Sequence, residues 1–229
     1  METSSTAGLK FILITNRNIC ETKLVDIISQ AIDGGVETVQ LREKDLNTVE
    51  LYDLASEIRE ITKKRGVNLI INDRVDIALA VDADGVHLGW KSLEIEMVRR
   101  MIGQEKMIGF SAHNLQEAEK AENCGADYIT ISPIFDTAYK DYFIKPLGTN
   151  EIGKIKEQID IPVIALGGIN ENNISYVLEN GADGIAVISA ILQSENPRQS
   201  ASRLYKAIER NESKSEEKIL TGSEDAVIN

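Results

Sequence analysis

The chain has 229 residues, of which 42% are hydrophobic and 27% are charged, the composition of an ordinary globular protein with a sizeable core. A formal net charge of −12 without any basic stripe excludes a general nucleic-acid binder, and no apolar run is long enough to span a membrane. Cys20 and Cys124 are too few for a disulfide framework or a zinc site, so the cytoplasm is the expected compartment.

Short runs rich in β-branched residues alternate with helical patterns, and the first strand is predicted at residues 9–16 (LKFILITN). Further strands are predicted at 37–42, 67–72, 85–89, 107–112, 128–134, 162–167 and 184–189. Helices are predicted at about 23–34, 47–65, 75–81, 92–102, 114–124, 150–158, 171–180 and 197–210.

The turns that lead into the strands resemble one another, as in VDADGVHL, ENCGADYIT and ENGADGIAV. Asp84, Asp127 and Asp183 in these turns are expected to be structural caps. Eight βα units with a repeated turn predict a single (β/α)₈ TIM barrel over residues 9–210. An open doubly wound sheet is the alternative, which the absence of GxGxxG after the first strand disfavours. Residues 1–8 are expected to be a flexible N-terminus, and residues 211–229 a disordered tail.

The segment TVQLREKD, residues 38–45, begins as a buried strand and ends in charged residues. Side chains alternate along a strand, so Gln40, Arg42 and Lys44 share one face, while Glu43 points the other way. The active site of such a barrel lies at the C-terminal ends of its strands. We therefore expect these donors to bind an anionic ligand. The alternative is that the two cations pair with Glu43, Asp45 or Asp73.

Other strand ends also carry polar side chains. Asp73 next to an anion site suits Mg²⁺, which binds one or two carboxylates together with substrate phosphates. Gly167–Gly168 and the turn after Ile188–Ser189 predict a second phosphate site. Structural roles are the alternatives: a helix N-cap for Asn72–Asp73 and a tight turn for Gly167–Gly168. His113 could likewise be structural, and Tyr139 and Trp90 could merely cover the mouth. The remaining residues at the mouth are Ser111, His113, Thr137, Tyr139, Lys140 and Trp90, and His87 is expected to pack inside its strand.

Several segments resemble the thiamine phosphate synthase family in order and spacing, over about residues 9–208. They are QLREK, INDRVDIALAVDADGVHLG, GFSAH, GADYITISPIFDTAYK, IPVIALGGI and GADGIAVISAI. The resemblance implies a barrel enzyme that joins hydroxymethylpyrimidine diphosphate to thiazole phosphate and releases pyrophosphate. Departure of the magnesium-bound pyrophosphate would leave a pyrimidine methylene cation, which the thiazole nitrogen captures.

The resemblance also implies residue roles. Pyrimidine diphosphate would contact Gln40, Arg42, Lys44, Asn72, Ser111 and Lys140, of which Arg42, Lys44 and Lys140 would act in catalysis. Thiazole phosphate would contact Thr137, Tyr139, Gly168, Ile188 and Ser189. Asp73 would bind Mg²⁺, and Ser92 stands where the family has its second metal carboxylate.

The chain departs from the family pattern at three places. GWKS, with Trp90 and Ser92, replaces GQ-x-D after strand four; Tyr139 replaces a hydroxyl residue of the loop; and Ser132 replaces a glycine. Two alternatives stay open: an isomerase resembling the thiazole tautomerase, and a non-catalytic paralogue that binds a thiamine precursor. Pro133 stands where the tautomerase has its catalytic histidine. The expected partners are small-molecule substrates, with no nucleic acid and no membrane, and the sequence leaves a homo-oligomer open.

Overall fold

Eight parallel strands close into a barrel in the computed structural model, which describes residues 6–137 and 145–222, with side chains up to residue 214. Neighbours in the sheet follow chain order, and the last strand pairs with the first, where Phe11 lies opposite Ile185. This closure confirms the predicted (β/α)₈ barrel and excludes the open sheet. The strands are β1 Phe11–Ile14, β2 Thr38–Leu41, β3 Asn68–Asn72, β4 Gly85–Leu88, β5 Met107–Ala112, β6 Tyr128–Ile131, β7 Val163–Leu166 and β8 Gly184–Val187.

Helices surround the barrel and bury one face against it. Helix α2 shows why such segments fold: Asn47 and Glu50 form a reciprocal capping box at its start, and Gly66 ends it in the left-handed conformation. Within the described residues, no helix combines the length and the apolar character that crossing a bilayer requires. The helices are α1 Leu24–Asp33, α2 Thr48–Arg65, α3 Val75–Ala80, α4 Ile95–Ile102, α5 Leu115–Asn123, α6 Asn150–Lys156, α7 Ile174–Glu179, α8 Ser189–Leu192 and α9 Pro197–Gly222.

Several elements are shorter than predicted, because polar side chains bind the backbone where the chain leaves the sheet. Strand β1 ends at Ile14, and the Asn16 side chain then accepts the Asn18 N–H at 3.3 Å in a short 3-10 turn. Helix α4 begins at Ile95 instead of residue 92, because the Ser92 hydroxyl accepts the Gly89 N–H at 2.7 Å. These turns belong to the mouth of the barrel.

The structure describes part of each terminal segment. Near the N-terminus, the carbonyl oxygens of Ala7 and Gly8 accept hydrogen bonds from Asn68 and Thr38. Near the C-terminus, α9 continues to Gly222, because the polar segment is rich in glutamate and lysine, which are good helix formers. Residues 1–5 and 223–229 lie outside the described residues.

The N-terminal end of the barrel is held by a repeated acidic residue. Asp84, Asp127 and Asp183 each precede an even-numbered strand and accept a backbone N–H of the odd-numbered strand before it, at 2.7, 2.6 and 2.7 Å. Each also binds a basic side chain of the helix that precedes that odd-numbered strand: Arg59, Arg99 and Lys156, respectively. The predicted structural caps are thereby confirmed, and they tie sheet to helices far from the mouth.

Candidate active site

The C-terminal ends of the strands surround an open cleft of about 330 Å³. Polar groups form its rim, and apolar side chains such as Ile14, Leu166 and Pro133 form part of its wall. The structure thus brings most of the predicted site residues together in one place. Those that line the cleft are Gln40, Arg42, Lys44, Asn72, Asp73, Ser92, Ser111, His113, Thr137 and Ile188.

Arg42 and Lys44 face the cleft, as the alternation along strand two predicts. Glu43, between them, points away and is buried against Arg17, whose backbone N–H it accepts at 3.0 Å. Arg17 also binds Asp45 through both guanidinium nitrogens, one of them at 2.8 Å. The predicted alternative pairing is therefore not seen: among the residues that the structure describes, neither Arg42 nor Lys44 has a carboxylate partner.

The contacts of Arg17 with Glu43 and Asp45, which we call the Arg17 clamp, also affect the pKa values of Arg17 and Asp45. Its hydrogen bonds hold the pKa of the Asp45 carboxyl well below its usual range, and the same contacts raise the pKa of Arg17. Both partners stay ionised at neutral pH. Arg17 thus engages the two carboxylates next to Lys44 in sequence, Glu43 and Asp45, and neither of them pairs with Arg42 or Lys44.

Asp73 reaches the cleft through an unusual backbone conformation, with φ of 61°. A left-handed conformation costs a non-glycine residue free energy and occurs preferentially at functional sites. Asn72 donates to one Asp73 oxygen at 2.7 Å, and the Ser92 hydroxyl donates to the other in a short contact. The N-cap alternative is wrong here, because helix α3 follows Arg74 and has no side-chain cap.

The position of Asp73 fits a metal ion only in part. Asp73 supplies one carboxylate, and its neighbours contribute amide and hydroxyl groups, so a divalent ion would need further oxygens from its ligand or from water. In the described ranges, no cluster of three or more His, Cys, Asp or Glu side chains could hold a metal ion alone. This donor set suits Mg²⁺ carried by a diphosphate, and not a tight site formed by the protein itself.

Gln40 presents an unsatisfied acceptor in the same wall. Its side-chain nitrogen donates to Asn72 Oδ1 at 3.3 Å, while its own side-chain oxygen is buried without a partner among the described residues. Because a buried unpaired polar atom is costly, this oxygen is suited to a ligand that donates a hydrogen bond.

His87 lies in the floor of the cleft, and sequence reasoning assigned it only to packing. It is 2% exposed, and burial together with the charge of Arg42 lowers its pKa to about 3. The imidazole is thus neutral at physiological pH. Its nitrogens contact the Tyr128 hydroxyl at 3.1 Å and Ser111 Oγ at 2.9 Å. The signal for this position was a histidine two residues before the end of the predicted strand 85–89.

The glycine turn after β7 lies on the opposite side of the cleft. Gly167 and Gly168 both have positive φ, 105° and 68°, which other residues adopt only with strain. Gly167 lines the cleft, and its neighbour Gly168 packs against the backbone of residues 135–136. Ile188 also lines the cleft, while Ser189 begins helix α8 just beyond it.

Three further residues were predicted at the mouth: Tyr139, Lys140 and Trp90. Tyr139 and Lys140 fall within residues 138–144, outside the described residues. Trp90 is 73% exposed at the rim, and its ring lies 4.6 Å from Lys91 Nζ. Sequence reasoning missed the apolar wall residues, because an isoleucine or leucine at a strand end looks the same whether it faces core or cleft.

The chain is similar to a known protein family, to named relatives and to solved structures. The family described as thiamine monophosphate synthase matches residues 11–191. A thiamine-phosphate synthase of Clostridium novyi (strain NT) is 46% identical over 82% of this chain and 92% of that protein. One of Methanobrevibacter smithii is 43% identical over 86% and 94%, respectively. A thiamine phosphate pyrophosphorylase structure from Pyrococcus furiosus is 38% identical, with a TM-score of 0.83 over 89% of this chain and 97% of that one.

Fold and cleft together define a (β/α)₈-barrel enzyme with cations and a glycine turn at opposite sides of its mouth. The matches extend over almost the whole barrel, including both sides of that mouth. The chain belongs to the thiamine monophosphate synthase family.

Proposed function

We propose that this protein is a thiamine-phosphate synthase, a transferase that joins hydroxymethylpyrimidine diphosphate to thiazole phosphate with release of pyrophosphate. The observation that carries the proposal is the pair of cations, Arg42 and Lys44, kept apart from nearby carboxylates by Arg17. A diphosphate is the kind of ligand that such uncommitted cations bind.

In the proposed reaction, the bond from the pyrimidine methylene carbon to the diphosphate oxygen breaks, and the thiazole nitrogen forms a new bond to that carbon. Arg42 and Lys44 hold the diphosphate and offset the charge that grows on it as it leaves. Gln40 and Ser111 orient the pyrimidine, with the Gln40 oxygen accepting from its amino group. Lys140 adds a further positive charge. Positioning and charge stabilisation suffice, so no covalent enzyme intermediate is needed.

Magnesium is the proposed cofactor, held by Asp73 and by diphosphate oxygens. When bound, Mg²⁺ supplies charge neutralisation for the leaving pyrophosphate. Asn72 and Ser92 keep the Asp73 carboxylate oriented toward the cleft through the two hydrogen bonds that its oxygens accept.

Thiazole phosphate is assigned to the opposite side of the cleft. The Gly167–Gly168 turn, in which both glycines have positive φ, is proposed to bind that phosphate through its backbone N–H groups. Thr137, Tyr139, Gly168, Ile188 and Ser189 are the proposed contacts. The two substrates would thus meet across the cleft, above the floor formed by Ser111.

The alternatives are less well supported by the site. Pro133 lines the cleft where a tautomerase-like reaction would need a proton-transferring histidine, and proline has no such group. A purely binding protein could use the same two cations, but relatives that are 43% and 46% identical to this chain are thiamine-phosphate synthases. The cytoplasm is the proposed compartment, because Cys20 and Cys124 are free thiols.

The test is a synthesis assay with purified protein, both substrates and Mg²⁺, in which thiamine phosphate and pyrophosphate are quantified. The proposal expects both products in equal amounts, and neither when the diphosphate is replaced by the unphosphorylated alcohol. Conversion of the thiazole substrate to an isomer without the pyrimidine would instead favour the tautomerase, and binding without turnover would favour the paralogue.

A further inference from the structure

A chain of buried polar side chains lies beneath the cleft and ends at Ser111. His87 on β4 connects the Tyr128 hydroxyl on β6, 3.1 Å from Nδ1, with Ser111 Oγ on β5, 2.9 Å from Nε2. Tyr128 and His87 are buried, and His87 and Ser111 both line the cleft. The barrel interior is thereby connected to a residue that the proposed function places against the pyrimidine.

Gly109 makes room for this chain. It lies opposite His87 in one strand pair and opposite Tyr128 in the other. A Cβ atom at residue 109 would overlap the Tyr128 ring and the His87 imidazole. The contact between phenol and imidazole thus depends on a glycine at the one position that separates them.

The direction of the hydrogen bonds follows from the partners of Tyr128. Among the described residues, its hydroxyl finds one hydrogen-bond partner, His87 Nδ1. If Nδ1 carried a proton, the phenol proton would be buried without an acceptor, at a cost of about 1–3 kcal/mol. The phenol therefore donates to Nδ1, and the neutral imidazole carries its proton on Nε2.

This tautomer fixes the role of Ser111. The Nε2–H donates to Ser111 Oγ, and Thr130 Oγ1 is more distant, 3.4 Å from Nε2 and 3.5 Å from Ser111 Oγ. Because Ser111 already accepts, its own hydroxyl proton is left for an acceptor in the cleft. Without Tyr128, the imidazole could hold either tautomer, and Ser111 could instead donate to Nε2.

We propose that Tyr128 and His87 are positioning residues that fix Ser111 as a hydrogen-bond donor toward a ring nitrogen of the pyrimidine. The ring nitrogen rests on the proposed function, whereas the donor direction rests on the geometry of the three side chains. Such a relay selects a ring that presents an acceptor beside its amino group, since a donor at that point would meet the Ser111 proton.

Nitrogen NMR of the isotope-labelled wild-type protein at neutral pH tests the tautomer directly. His87 Nδ1 should resonate as an unprotonated nitrogen and Nε2 as a protonated one. The chain has two histidines, so His113→Gln assigns the signals. Protonated Nδ1 would overturn the relay. If Nδ1 were protonated and product still formed, the relay would fail and the synthase proposal would stand. If Nε2 were protonated and no product formed, the relay would stand and the synthase proposal would fail.

Binding measurements test the consequence for the ligand. Tyr128→Phe should weaken pyrimidine diphosphate binding about fivefold, the value of one hydrogen bond, and should shift the His87 signals toward a tautomer mixture. Thr130→Val, a buried hydroxyl deletion on the same strand, should change the affinity less than about twofold. Inorganic pyrophosphate binding should be unchanged in both.

A double-mutant cycle separates the relay from general damage to the fold. In a Ser111→Ala background, Tyr128→Phe should cause no further loss of pyrimidine diphosphate affinity, because the two act through one interaction. Fully additive losses, or equal losses of pyrophosphate and pyrimidine diphosphate affinity in Tyr128→Phe, would overturn the proposal.

Discussion

Single residues decide how charge is distributed at the mouth of this barrel. Arg17 comes from the turn after β1 and pairs with both Glu43 and Asp45, so these carboxylates do not pair with Arg42 or Lys44 in the segment after β2. Asp73 is held in a left-handed conformation by hydrogen bonds from both sides. Arg42 and Lys44 thus have no carboxylate partner among the described residues, and the Asp73 carboxylate lines the same cleft.

Arg42→Ala should weaken pyrimidine diphosphate binding roughly 30-fold, or about 2 kcal/mol, because it removes a charged hydrogen-bond donor from the diphosphate. Thiazole phosphate affinity should change less than about twofold, since that phosphate is assigned to the other side of the cleft. Titration calorimetry with each ligand measures both. Arg65→Ala, which removes an arginine paired with Asp33 on the outer surface, is the control. Equal losses on both ligands with the fold intact would contradict the assignment of Arg42.

Ser92→Asp should raise the affinity for Mg²⁺ in the absence of diphosphate on the order of tenfold, because it adds a carboxylate beside Asp73. Wild-type protein should bind the ion weakly alone and well with pyrimidine diphosphate. Magnesium titrations with and without that substrate make the comparison, and Ser92→Ala controls for loss of the hydroxyl. Tight binding by wild type alone would reveal another ligand, and an active Asp73→Asn variant would exclude Asp73 as the metal residue.

At the scale of elements, opposite ends of the barrel carry different tasks. The C-terminal ends hold the uncommitted cations, the strained carboxylate and the glycine turn. The N-terminal ends repeat one acidic contact that links two strands and a helix. Stability determinants and ligand contacts are therefore separated by the length of the strands, which allows one set to change without the other.

Asp127→Ala should lower the free energy of unfolding by about 2–3 kcal/mol, because Arg99 and the Ile108 N–H lose a shared and partly buried acceptor. Asp33→Ala removes the carboxylate of a more exposed ion pair and should cost less than about 1 kcal/mol. Urea unfolding of both variants measures the difference. Ligand affinities should stay at wild-type values, and a change in pyrimidine diphosphate affinity in Asp127→Ala would contradict the separation of the two ends.

The sequence predicted the elements whose pattern is local. Alternation along residues 38–45 placed Gln40, Arg42 and Lys44 on one face, because the side-chain period of a strand is fixed. The Arg17 clamp escaped prediction, since it joins groups 26 residues apart through a turn with no periodicity. The contact of Ser92 with Asp73 was not predicted either, because it depends on the turn at Gly89. The length of α9 was missed because the sequence of a polar helix resembles that of a polar tail.

The molecule as a whole carries a neutral histidine at the centre of its barrel. His87 has a pKa of about 3 in the folded state and about 6.5 in the unfolded chain. Between these two pH values, the unfolded state therefore binds a proton that the folded state does not. The folded state is therefore favoured above pH ~6.5 and progressively loses this advantage as the pH falls toward 3.

The free energy of unfolding should fall by about 2 kcal/mol between about pH 7 and pH 5 through this residue alone. Urea titrations across that range measure the slope. His87→Gln should be less stable at neutral pH but should show a flatter dependence, while His113→Gln, which keeps the buried histidine, should retain the wild-type slope. An unchanged slope in His87→Gln would assign the acid sensitivity to other groups.

The junction between β1 and β8 joins the first strand of the barrel to the last. During synthesis on the ribosome, one edge of β1 stays unpaired until Ile185 and the rest of β8 have emerged. An open parallel sheet exposes backbone N–H and C=O groups along both edges, and such edges recruit other chains. The nascent protein is therefore most exposed to misassembly and most in need of chaperones before its eighth strand is made, and a message truncated before that strand would yield an aggregating product.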